Sequence, residues 1–210
     1  MTEVKEVHLK LPEWAVIETM NLRNAKDSYN EVERVQIVNR FAKLNTENNT
    51  GGPFAAAIFE RDSGKLLVAG VNRVVPTSMS AAHAEVTVLS VAQQMLGTFD
   101  LGGKGLPAYQ LVVNWRPCTM CFGAVIWSGV RSLLLAGYGQ EVEEITGFDE
   151  GPIPGGEANG DNGRPLWMAE LEKRGIEVKT ASEELRNEAI EGFKFFRDSG
   201  SLVYNGRLGD

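Results

Sequence analysis

Two groups of residues have the types and spacing that suit metal chemistry: His83-Ala84-Glu85, and Pro117-Cys118-Thr119-Met120-Cys121. One imidazole and two thiolates leave the fourth tetrahedral position of a Zn2+ ion open to water, as in a catalytic site rather than a closed structural one. Glu85 then stands beside the metal as a carboxylate that need not be a ligand and can carry protons. The chain holds two cysteines and two histidines, so this constellation uses both thiols and leaves only His8 spare. His8 has no ligating neighbour in sequence and reads as a surface histidine. Taken alone, Cys118 and Cys121 also fit a redox pair or two buried thiols. Glu85 alone also fits a helix-start carboxylate favoured by the dipole.

The elements that must bring the two groups together are visible in the hydrophobic pattern. Residues 1–27 show no clear period, whereas Ser28 to Leu44 carries Val32, Val35, Ile37, Val38, Phe41, Ala42 and Leu44 at helical spacing. Phe54 to Phe59 and Leu66 to Val71 are apolar runs joined by Arg61-Asp62-Ser63-Gly64-Lys65, a hairpin signal. A helix follows with Ser80 as expected N-cap, Val86, Leu89, Ala92 and Leu96 as its apolar face, and Gly97 as its stop. Leu111 to Trp115 is predicted as a strand. Pro117 suits the first helical position, so that Cys118 to Trp127 forms a helix with both cysteines on one face. Thiolates at a helix N-terminus gain from the dipole, which favours metal binding. A strand over Ser132 to Tyr138, a helix over Pro165 to Arg174, a strand over Ile176 to Thr180 and a helix over Ser182 to Arg197 complete the pattern. Gly151 to Gly163 is a Gly/Pro/Asn-rich loop.

Alternating strands and helices imply an α/β fold with ligands placed where strands end and helices begin. The expected organisation is an N-terminal extension over residues 1–27, a central domain over 28–181, and a C-terminal helix and tail over 182–210. At 210 residues, 43% of them hydrophobic, one substantial core suffices. No leader and no run near the roughly 20 apolar residues of a membrane span is seen, so a cytoplasmic protein with no membrane partner is expected. Reduced thiols in that compartment suit zinc. The net charge is −7 and the 21 Lys and Arg are dispersed, which argues against a nucleic-acid partner.

His-x-Glu followed by Pro-Cys-x-x-Cys is the signature of zinc-dependent nucleobase deaminases, and on that template the zinc reading prevails over the redox one. Gly51-Gly52-Pro53-Phe54, Asn72, Met120-Cys121-Phe122-Gly123-Ala124 with Trp127, and Gly147-Phe148-Asp149-Glu150 add to this. From about Gly51 to Glu150 the chain resembles bacterial guanine deaminases of the cytidine deaminase-like superfamily, closest in pattern to members that also accept aminotriazines such as ammeline. The resemblance implies a three-layer α/β/α fold around a mixed five-stranded sheet. It implies one Zn2+ per chain held by His83, Cys118 and Cys121, Glu85 as proton carrier, and a homodimer. Asn72 and an acidic side chain of Phe148-Asp149-Glu150 are implied to hold the base edge. Phe54, Trp127 and Phe148 are implied around the ring, with Ala84 and Tyr204 as further contacts. One departure stands out: the family usually has Glu before the Pro-Cys, and this chain has Arg116, either an exposed residue without a role or a sign of altered recognition.

The residues themselves leave alternatives at each substrate position. Asn72 after an apolar strand also suits a turn, although an amide offers a donor and an acceptor to a purine edge. Asp149 and Glu150 are either solvated loop acids or acceptors for the adjacent N–H donors of guanine, rejecting bases that present acceptors there. Phe54, Trp127 and Phe148 fit a core as well as a stacking wall, and Tyr204 fits a lid or a terminal strand. The favoured activity is hydrolytic deamination of a free nucleobase, guanine to xanthine and ammonia. The alternatives are an adenosine deaminase acting on transfer RNA, a deaminase of cytosine or another aminoheterocycle, and a zinc-stabilised module without turnover.

Overall fold

Strands that are apolar on both faces organise the chain. The computed structural model describes residues 6–153 and 163–206. Within these, strands β1 (Ala55–Glu60), β2 (Leu66–Val71), β3 (Tyr109–Val113), β4 (Ser132–Leu135) and β5 (Glu177–Thr180) form one sheet in the order β2-β1-β3-β4-β5. β1 runs antiparallel to β2 and β3, while β3, β4 and β5 are parallel. The mixed five-stranded sheet expected from the sequence is therefore present, and helices cover both of its faces.

Period-two alternation assigns each side chain to a layer. Ala56 and Ile58 of β1, Leu111 and Val113 of β3, and Leu133 and Leu135 of β4 share a core with α4 (Ala84–Leu96), α5 (Thr119–Ser128) and α7 (Leu166–Glu172). Ala55, Ala57, Phe59, Val112 and Leu134 face the other core, shared with α1 (Glu13–Ala25), α2 (Glu31–Glu47) and α8 (Glu183–Asp198). Each fully buried Leu or Phe of these strands contributes about 1.5–3 kcal/mol. Strands β1, β3 and β4 show no polar face because both sides of the sheet are covered there, while edge strand β5 keeps Glu177 and Thr180 exposed. None of the described helices is long and apolar enough to cross a membrane.

Several sequence expectations change. Helix α1 occupies part of the segment that showed no period, because it buries only the narrow stripe of Ala15 and Thr19. Thr19 Oγ1 donates to the Ala69 carbonyl of β2 at 3.2 Å. Two short helices, α3 (Val74–Thr77) and α6 (Glu141–Thr146), lie where no element was expected. Ser80 is not the N-cap of α4; His83 is. The chain between α3 and α4 first turns through Ser78 in the left-handed region, and the Arg73 N–H bonds to the Ala82 carbonyl at 2.8 Å, so the helix begins only after His83. Pro117 likewise precedes α5, whose N-cap is Cys118. Strand β4 stops at Leu135, its last pair with Thr180. Beyond it, Gly137 packs so tightly that a Cβ would lie 2.3 Å from the Trp115 ring. The loop expected over 151–163 has its residues 154–162 outside the described residues.

Candidate metal centre and pocket

Helices α4 and α5 lie against each other on one face of the sheet, and each presents its N-terminus at the same end. His83 caps α4 and Cys118 caps α5, where the Cys118 thiol accepts the Cys121 backbone N–H at 3.5 Å. Cys118 Sγ stands 3.5 Å from His83 Nδ1. The ligand atoms of His83, Cys118 and Cys121 all lie within 4.8 Å of one another. Two sulfurs and one nitrogen at this spacing fit tetrahedral Zn2+ with one position left for water.

The electrostatics of the cluster favour a bound cation. The Cys118 thiol is held down to about 4 by its hydrogen bond with Cys121, against burial and with help from His83. Its partner Cys121 is pushed well up by the same hydrogen bond and by burial. Burial works against a charged His83, but the contact with Cys118 outweighs it and raises the imidazole to about 9. Glu85, buried in the first turn of α4, is raised to about 7 by burial and then by the Cys118 charge. Glu150 is raised to about 8 by burial and by Cys118. Acid groups compressed around thiolates are the surroundings that a divalent cation would relieve.

Next to the ligands is a cavity of about 210 Å³ whose lining includes Val74, His83, Phe148, Asp149, Glu150 and Tyr204. Phe148 is buried, with ring centroids 5.3 Å from Phe54, 5.4 Å from Phe196 and 5.0 Å from Tyr204. The Tyr204 ring lies 6.5 Å from that of His83, so the C-terminal tail folds over its own chain's site. Asn205 ties it there, donating to the Gly147 carbonyl at 2.8 Å and accepting the Asp149 N–H at 2.9 Å. Asn72, just beyond β2, is fully buried. Its Oδ1 accepts the Val74 N–H at 3.2 Å, as in a turn-forming Asn, and its Nδ2 is buried. The same side chain interacts with the Tyr204 phenol.

The profile of the cytidine and deoxycytidylate deaminase zinc-binding region matches residues 30–136, slightly more than half of the chain. The chain belongs to the cytidine and deoxycytidylate deaminase zinc-binding family. Among solved structures, the deaminase is similar to a guanine deaminase from Nitrosomonas europaea, 44% identical with a TM-score of 0.77, covering 94% of this chain and all of that one. A variant of NE0047 in complex with 8-azaguanine is 45% identical with a TM-score of 0.78, covering 92% of this chain and 98% of that one. Guanine deaminase of Bacillus subtilis is 33% identical over 100 residues, which are 48% of this chain and 59% of that protein. Zinc is thus the cofactor of the family, and His83, Cys118 and Cys121 form its candidate site in the deaminase.

Of the residues singled out from the sequence, His83, Ala84, Glu85, Cys118 and Cys121 meet at the helix starts. Phe54, Asn72, Phe148, Glu150 and Tyr204 gather beside them. Trp127 does not: it is 86% exposed on α5. Its position in sequence is compatible with a ring contact, but the turn of the helix at 127 faces outward. Asp149 reaches the cavity rim but is exposed, and its carboxylate accepts the Gly151 N–H at 3.0 Å, whereas Glu150 interacts with Cys118 and His83 of the centre. Arg116 is neither exposed nor idle; it is buried and paired with Glu143 of α6. That partner was invisible because α6 was not foreseen. His8 is exposed, 3.2 Å from Glu6.

Three residues that sequence reasoning passed over also shape the site. Asn114 accepts the Ala55 N–H and donates to the Pro53 carbonyl, both at 2.9 Å, and so fixes the start of β1 on either side of Phe54. Thr119, inside the Cys-x-x-Cys, donates its hydroxyl to the Pro152 carbonyl and its N–H to the Glu150 carbonyl, tethering the Glu150 segment to the metal helix. Asn45 is the third. The two buried amides, Asn45 and Asn114, leave no pattern in sequence that separates them from turn residues.

Proposed function

We propose that the deaminase hydrolyses guanine to xanthine and ammonia, with ammeline or related aminotriazines as further substrates. The observation that carries this reading is the Glu150 side chain on the cavity beside the metal ligands, with the buried Asn72 amide set against Tyr204, which lines the same cavity. A carboxylate accepts the adjacent N–H donors of the guanine edge, and an amide N–H meets an acceptor elsewhere on the ring. The likeness to NE0047, whose structures include complexes with 8-azaguanine and 2,6-diaminopurine, supports the same substrate class.

His83, Cys118 and Cys121 would hold Zn2+, which supplies a water acidic enough to attack at neutral pH. Glu85 takes the proton of the attacking water and passes it to the ring nitrogen and then to the departing amine, so that water adds, the C–N bond breaks and ammonia leaves. Phe54, Phe148 and Tyr204 wall the base and exclude solvent, which strengthens each of these contacts. Two further parts of the reading are a cytoplasmic location and a homodimer. The dimer is supported by Met120 and Trp127, seven residues apart on one face of α5 and both exposed; a monomer at micromolar concentration in sedimentation would refute it. The activity is tested by ammonia release from guanine, ammeline, cytosine, adenine and their nucleosides. Guanine is expected to be the best substrate, and preference for adenosine or cytosine would overturn the assignment.

A further inference from the structure

Asn45 lies in the last turn of α2 and is fully buried. Its Nδ2 donates to two carbonyls at once, that of Gly52 at 2.8 Å and that of Asn72 at 2.9 Å. Its Oδ1 accepts the Thr50 hydroxyl at 2.7 Å, and its own carbonyl accepts the Thr50 N–H at 2.9 Å. The amide can take only this orientation, since the reverse would set an oxygen against two carbonyl oxygens.

The two carbonyls belong to two separate segments, the Gly51-Gly52 turn before β1 and the residue that follows β2. Gly51 has φ +155°, and a Cβ there would lie 2.0 Å from the Asn72 carbonyl oxygen and 2.7 Å from Asn45 Nδ2, so the turn rests directly on Asn72 and admits no side chain. At Gly52 a Cβ would meet the Tyr204 hydroxyl at 3.1 Å and the Phe148 ring at 3.6 Å. Asn72 and Gly52 are thereby held at a common distance by one side chain. The chain of bonds runs outward as well: Thr50 Oγ1 accepts Trp14 Nε1 at 3.0 Å, and Arg73 donates to the Thr50 carbonyl. Trp14 in turn packs 5.5 Å from Phe41 of α2.

We propose that Asn45 is a positioning residue for base recognition, holding the Asn72 backbone and the Gly51-Gly52 turn in one arrangement beside the Tyr204 wall of the pocket. The proposal rests on the reading of Asn72 as a group that contacts the base. Asn45 touches neither metal ligand nor substrate; it acts through Asn72. A recognition group set out of place loses its hydrogen bond to the base and with it a share of binding, so a single buried amide here has leverage on KM.

The test is the full-length zinc enzyme with guanine, in four forms: wild type, Asn45→Asp, Asn72→Ala and the double variant. Asn45→Asp keeps the shape and removes both donors. It is expected to raise KM about tenfold, equivalent to about 1.4 kcal/mol, with zinc content unchanged and kcat within about threefold. In the Asn72→Ala background the same substitution should change KM by less than about twofold, because its target is already gone. An unchanged KM in Asn45→Asp alongside a raised KM in Asn72→Ala overturns the proposal alone. So does a tenfold effect that persists in full without the Asn72 side chain. An unchanged KM in Asn72→Ala overturns the base-contact reading and the proposal with it. Thr50→Val provides a second route through a partly exposed position: it spares Asn45 but removes the hydroxyl that orients its amide. A KM rise of about threefold is expected there, and none would count against the proposal.

Discussion

Cys118 Sγ and His83 Nδ1 lie 3.5 Å apart although 35 residues of chain separate them. Each is the N-cap of a different helix, so the contact exists only because α4 and α5 pack side by side on the same face of the sheet. The described residues contain no other group of three His, Cys, Asp or Glu able to hold a metal. Cys118→Ala and His83→Ala are therefore expected to purify with less than about a tenth of the wild-type zinc, measured by atomic absorption, since losing one of three protein ligands leaves two. Full occupancy in either variant would refute the assignment.

Glu85 is buried beside this cluster and interacts with Cys118, His83 and Cys121. Glu85→Gln should keep the fold and the zinc while kcat falls about 10²-fold or more, the scale of lost acid–base help. Turnover near wild type would remove Glu85 from the reaction.

Glu150 and Asp149 are adjacent in sequence but differ in placement, one directed at the centre and the other exposed and bonded to Gly151. Glu150→Gln should lower kcat/KM for guanine by about 10²-fold or more, because an amide in that place opposes an N–H edge with donors of its own. Asp149→Asn should stay within about threefold of wild type. The reverse order of effects would exchange their roles.

The tail closes over the pocket through Tyr204 and is fastened by the two hydrogen bonds of Asn205. Removing residues 202–210 should raise KM for guanine at least about fivefold, roughly the value of one or two such bonds and a ring contact, with zinc retained. A truncated enzyme with wild-type KM and kcat would make the tail a bystander.

Arg116 is buried with its charge against Glu143, which is itself mostly covered. Arg116→Ala takes a buried cation from that carboxylate, leaves a void and should cost about 3 kcal/mol or more of stability, read as a lower urea midpoint in the zinc-loaded protein. A change below about 1 kcal/mol would show that the pair contributes little.

The zinc ligands and Glu85 were legible in the sequence because their chemistry requires particular residue types at short, fixed spacings, and two such spacings survive any fold. The strands were legible for a similar reason: a sheet covered on both faces demands runs such as Leu111 to Val113 and Leu133 to Leu135 without polar interruption. Tertiary structure alone decided what the loops do. Glu150 and Asp149 are chemically alike and differ only in which way the backbone turns after Phe148. Trp127 faces outward because of its phase on α5, and Arg116 finds Glu143 because a short helix crosses beneath it. Asn45, Asn114 and Asn205 look in sequence like ordinary turn residues, since an amide's partners are backbone groups of any residue type. Their meaning lies in the carbonyls and N–H groups that distant segments bring within 3 Å of them, and no pattern of side chains records that approach.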